Sequence, residues 1–103
     1  MHPTPLVSLA AVPAKTLWVD AREPDAYTAG HIPDAVSLSE TNWEQGLPVF
    51  LAAWNPGAPV VVYCGGGSCG ASRAVAERLR RELRIDRVYI LDGGWNVWRA
   101  QHP

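Results

Sequence analysis

Cys64 directly follows the apolar, β-branched run Val60-Val61-Val62-Tyr63 and opens the loop Gly65-Gly66-Gly67-Ser68-Cys69-Gly70, which passes into a long helical pattern from Ala71. Four of the chain's nine glycines lie in this loop. A strand–loop–helix junction of this kind sets one thiol among free backbone N–H groups at the positive end of a helix dipole. Thiolate is the nucleophilic form of cysteine. Such surroundings draw a thiol pKa from roughly 8.5 down to between 3.5 and 7.5. Cys64 is therefore the candidate nucleophile. Gly65, Gly66, Gly67, Ser68, Cys69, Gly70, Ala71, Ser72 and Arg73 form its candidate anion-binding loop.

Other chemistries fit the same residues less well. Gly65, Gly67 and Gly70 spell G-x-G-x-x-G, with Asp92 beyond the next strand. A dinucleotide half-site needs at least two further strands after its fingerprint, and the remaining length holds one strand and a short helix. A phosphate-binding P-loop would need lysine where Ala71 stands. A phosphatase-type C-x5-R loop would need arginine where Gly70 stands, since arginine grips phosphoryl oxygens with two parallel bonds. Two cysteines in C-x4-C spacing and three scattered histidines (His2, His31, His102) do not assemble four metal ligands. No cofactor or metal is expected.

Five strand-like segments position this loop: a weak one near 6–9, then 17–20, 35–38, 60–64 and 87–91. Helical segments alternate with them. The stretch 23–29 has Pro24 in its first turn and Gly30 past its end. The stretch 42–54 contains Gly46 and Pro48 and reads as two short pieces. In 71–84, Ala71, Val75, Leu79 and Leu83 recur every four residues. A last helix is expected over 95–100. Strands that are apolar throughout suit a sheet buried on both faces, and strand–helix alternation makes it mostly parallel. Ligands of such sheets bind beyond the carboxyl ends of the strands. Cys64, Asp20 and Asp92 all fall there.

At 103 residues the chain reads as a single domain covering 1–103, with 48% apolar and 18% charged residues, which argues against disorder. No apolar run approaches a membrane span, and the stretch Leu6–Val12 makes a poor signal peptide, so a cytoplasmic location is expected. Residues 1–63 carry two basic and six acidic groups, and residues 64–103 seven basic and four acidic. The basic excess lies mainly on the helix 71–84, with Glu77–Arg81 and Arg78–Glu82 spaced to pair. It reads as a solvated helix face, and no nucleic-acid or membrane partner is expected.

Three blocks in order, VDAREPDAYTAGHIPDAVSL (Val19 to Leu38), VVVYC with its glycine loop, and LDGGWNVW, make the chain resemble the rhodanese-like (sulfurtransferase) family over nearly its whole length. The matching residues are Asp20, Arg22, Glu23, Tyr27, Gly30, His31, Ile32, Pro33 and Ala35, then Cys64 and Ser72, then Gly93, Gly94, Trp95 and Trp98. The resemblance implies a three-layer α/β fold, a mostly parallel five-stranded sheet flanked by helices. It implies that Cys64 carries sulfane sulfur as a persulfide from a donor, thiosulfate or a small persulfide, to a thiol, cyanide or protein acceptor. The alternative is a non-catalytic binding or redox-sensing module using Cys64 and Cys69. Two departures stand out. Ser72 follows Cys64 by eight residues where the family pattern has six, so the active-site loop is longer by two and has no basic residue before Arg73. Asp34 stands where the family has glycine. The lengthened loop carries Cys69, which is either a resolving thiol for a Cys64 persulfide or a small space-filling residue. Asp20, Arg22 and His31 are expected to be structural supports near the site.

Overall fold

A computed structural model describes residues 4–66 and 70–103. Five parallel strands form one sheet in the order β1-β5-β4-β2-β3: β1 (Leu6–Val7), β2 (Leu17–Asp20), β3 (Val36–Ser37), β4 (Val60–Tyr63) and β5 (Val88–Leu91). Four α-helices connect or flank them: α1 (Pro24–Ala29), α2 (Trp43–Ala53), α3 (Gly70–Glu82) and α4 (Gly94–Gln101), with a short 3-10 turn at Leu9–Ala11. The expected three-layer α/β architecture is present, and the pairing is parallel throughout rather than mostly so.

The central strand β4 is buried at every position, as an apolar run without alternation requires. Its side chains still divide by the pleat. Val60 and Val62 pack with Phe50 of α2 and with Val75 and Leu79 of α3, whereas Val61 and Tyr63 pack with Tyr27 of α1 and with Trp95 and Trp98 of α4. The two helix layers thus meet opposite faces of one sheet. Among the described residues, no helix is long and apolar enough to cross a membrane.

Helix α2 corrects the expectation of two short pieces. It runs unbroken through both Gly46 and Pro48. A Cβ at Gly46 would stand 2.6 Å from the Ser37 carbonyl oxygen, so glycine there lets the helix lie close against β3. Pro48 removes only the N–H that would bond the Glu44 carbonyl, at an exposed place. Burial of Trp43, Gly46 and Phe50 against the sheet outweighs that loss. On α3 the buried stripe is Ser72, Val75, Ala76 and Leu79, so Ser72 and not Ala71 faces inward. Arg78 reaches Glu40 and Glu82 at 2.9 Å each, while Arg81 lies nearest Glu82 rather than the expected Glu77.

Asp34 holds φ at 68°, in the left-handed region. This accounts for glycine in the family pattern at this turn, since only glycine enters that region without steric cost. Asp34→Ala is expected to lower unfolding free energy by roughly 1 kcal/mol. Asp34→Gly should leave it unchanged or slightly raised, as read by urea denaturation.

Candidate active site

Cys64 emerges at the carboxyl end of β4 and is 4% exposed. Its Sγ lies 3.3 Å from Oγ of Ser72, itself buried in the first turn of α3. The serine hydroxyl can therefore donate to a sulfur anion at the point where the α3 dipole is positive. Gly65 and Gly66 continue the loop. Gly70 and Ala71 are exposed at the start of α3, and Arg73 is exposed on its first turn. Gly67, Ser68 and Cys69 lie outside the described residues, and the expectation of a resolving Cys69 lies there with them.

Helix α4 orients the loop from behind. The N–H of Trp95 donates to the Cys64 carbonyl at 2.7 Å, and the N–H of Asn96 donates to the Gly65 carbonyl at 3.0 Å. These are two of the orphan donors at a helix start. In a trans peptide unit the N–H points opposite to the C=O. Pinning the two carbonyls on α4 therefore turns the N–H groups of Gly65 and Gly66 away from that helix. The Gly93-Gly94 pair makes the approach possible. Their φ values are 87° and 56°, and a Cβ on Gly94 would collide with the Cys64 carbonyl oxygen. Gly94→Ala is expected to cost at least about 2 kcal/mol of stability, combining left-handed strain with backbone overlap, and to impair thiol reactivity along with it. Chemical denaturation and alkylation of the variant check both effects.

Asp20 and Arg22 brace the site at a distance from the sulfur. Asp20 is fully buried at the end of β2, and its Oδ2 receives Arg22 Nη2 at 2.6 Å and the Tyr63 hydroxyl at 3.0 Å. Arg22 also donates to the Gly30 carbonyl at 2.7 Å, and its guanidinium lies 4.6 Å from the centre of a Trp95 ring. The Tyr63 hydroxyl in turn accepts from the Ile32 N–H at 3.1 Å. One network thus joins the ends of β2 and β4, the turn after α1, and α4. Burial, first of all, raises the Tyr63 phenol well above its ordinary value, with the neighbouring Asp20 acting in the same direction against the bond from Ile32. His31 takes no part at the sulfur: its Nδ1 lies 2.8 Å from the Tyr27 carbonyl and its ring stacks on Tyr27.

A cavity of about 430 Å³ opens beside Cys64, lined among others by Leu6, Ser72, Arg73 and Asp92. Among the described residues, no cluster of His, Cys, Asp or Glu is arranged to hold a metal ion. Sequence reasoning did not single out Leu6, Tyr63 or Asn96. A tyrosine inside an otherwise aliphatic buried strand was the available signal for Tyr63, because a buried hydroxyl demands a partner. Leu6 and Asn96 carried no such signal.

A parallel sheet with a buried cysteine at the end of its central strand, under a helix start, is the arrangement to which the rhodanese-like family belongs, and the chain is a member: the rhodanese-like domain model matches residues 8–101. Over 85 residues the chain is 34% identical to thiosulfate sulfurtransferase GlpE of Pseudomonas syringae pv. syringae (strain B728a), covering 82% of this chain and 74% of that protein. Its fold is similar to that of the BH2092 protein of Bacillus halodurans, with a TM-score of 0.68 and 26% identity. That match covers 84% of this chain but only 60% of the other. It also resembles a rhodanese-like domain protein of Staphylococcus aureus, with a TM-score of 0.59, 19% identity, and 92% and 91% of the two chains covered. At that identity the likeness is one of fold.

Proposed function

We propose that the protein is a sulfurtransferase in which Cys64 carries sulfane sulfur as a persulfide. The observation that carries this reading is the seat of Cys64: a buried sulfur at a strand end, within reach of a hydroxyl on the first turn of α3, on a loop whose carbonyls are pinned away on α4. With thiosulfate, the Cys64 thiolate attacks the outer sulfur, forming the Cys64 persulfide anion and releasing sulfite. Cyanide or a thiolate then attacks the terminal sulfur, and Cys64 leaves as thiolate. Both steps conserve charge and need no outside oxidant. Inward donors hold the persulfide anion without reorganising, the kind of preorganisation that contributes most at anionic sites. Similarity to a thiosulfate sulfurtransferase supports the reading. A small persulfide or a protein partner is an equally suitable donor or acceptor by this chemistry. A reducing, cytoplasmic compartment would keep the resting thiol available.

Incubation with thiosulfate or a small persulfide should add one sulfur atom to the intact mass, removed again by a reductant. A protein that never gains it would instead be a binding or sensing module. For Cys69 the proposal is a resolving role: attack on the inner sulfur of the persulfide expels hydrosulfide and leaves a Cys64–Cys69 disulfide. Cys69→Ser should then hold its persulfide longer than the parent. Equal lifetimes reduce Cys69 to a space-filling residue.

A further inference from the structure

The cavity beside Cys64 is charged on two walls. Arg73 stands on the first turn of α3, and Asp92 follows β5, where its backbone N–H is held by the Val7 carbonyl. Both side chains are exposed. Neither makes an ion pair or a side-chain hydrogen bond among the described residues. Two other arginines of the surface, by contrast, are engaged: Arg78 with Glu40 and Glu82, and Arg87 with the Gly57 carbonyl. The cavity that Cys64 lines thus also presents one cation and one anion that are uncommitted among the described residues, with Leu6 and Ile90 supplying apolar surface.

On the sulfurtransferase reading above, we propose that this cavity takes a zwitterionic α-amino thiol, of which cysteine is the simplest, as the sulfur acceptor. A planar guanidinium suits a carboxylate, the Asp92 carboxylate suits an ammonium group, and a short β-carbon thiol is left to approach Cys64. A dianion such as thiosulfate gains from Arg73 and is opposed by Asp92. A neutral thiol gains from neither. The acceptor thiol gives up its proton to the persulfide anion and its sulfur bonds to the terminal sulfur. The bond from that sulfur to Cys64 Sγ breaks, and Cys64 leaves as thiolate. The products are the amino-acid persulfide and the resting enzyme, with no net oxidation.

The test uses protein whose persulfide has first been verified by intact mass. Single-turnover rates are measured for L-cysteine, cysteamine (no carboxylate), 3-mercaptopropionate (no ammonium) and 2-mercaptoethanol (neither), each divided by its thiolate fraction. Cysteine should exceed either singly charged analogue by about 3- to 5-fold, the scale of one exposed ion pair. Each variant is referenced to its own rate with 2-mercaptoethanol. In Arg73→Gln, cysteine and cysteamine should become equal. In Asp92→Asn, cysteine and 3-mercaptopropionate should become equal. Loaded protein that ranks the four thiols alike, or variants that keep the parent's ranking, overturn the assignment while leaving the sulfurtransferase reading intact. Protein that never gains sulfur sinks that reading and this acceptor with it.

Discussion

Cys64→Ser is expected to abolish the gain of one sulfur atom on treatment with a sulfane donor, with no residual loading at any donor concentration. An alkoxide is not formed near neutral pH at this site, and oxygen does not form the sulfur–sulfur bond on which the transfer depends. The substitution is nearly isosteric at a position that is 4% exposed, so folding should survive and the loss is chemical. Ser72→Ala is the informative companion. It removes the hydroxyl that lies 3.3 Å from the sulfur and leaves the loop backbone unchanged. Loading should slow by roughly tenfold or more without vanishing. If Cys64→Ser still loads and Cys69→Ser does not, the carrier is Cys69 and the role assigned to Cys64 is wrong.

The second large effect is on stability. Asp20→Ala leaves the Arg22 guanidinium, largely buried, without its carboxylate, and strips the Tyr63 hydroxyl of its acceptor. Breaking one side of a buried pair costs about 3–5 kcal/mol, a large part of what holds a domain of this size together. Tyr63→Phe should cost less, about 1–3 kcal/mol, because it deletes a neutral donor and leaves the Ile32 N–H unmet. The tyrosine also sets an alkaline limit. Its phenol is raised in the folded state, so its contribution is whole below the unfolded value of about 10. Above that pH the unfolded chain releases a proton that the folded chain keeps, and stability falls. Tyr63→Phe should flatten this alkaline slope in urea titrations. An unchanged slope would place its origin elsewhere.

Much of this fold was legible because its central strand is buried on both faces. Val60 to Tyr63 declares itself by composition alone, and β2 begins with its apolar run and ends one residue beyond it, on Asp20. The two-residue strands β1 and β3 were harder to bound, since so short a pairing is set by its neighbour more than by its own residues. Helix α2 was misread at Gly46 and Pro48 because local propensity carries no knowledge of the β3 carbonyl against which the glycine packs. At the candidate site, Cys64 stood out by its place at a strand end and Ser72 by the family resemblance, and the structure sets the two side chains 3.3 Å apart. The function of Gly93 and Gly94 was not. Their small size matters to a carbonyl far away in sequence, and only tertiary structure brings the two together.

The bond from Trp95 to Cys64 has a consequence in time. During synthesis Cys64 emerges about thirty residues before the helix that turns its loop. At roughly 5–20 residues per second, the interval is on the order of 2–6 s. Through it the thiol sits on an unfinished sheet, since β5, the neighbour of β4, is also still to come. A nascent chain therefore carries Cys64 without the contacts that set its loop, and the site proposed above is complete only once α4 has formed.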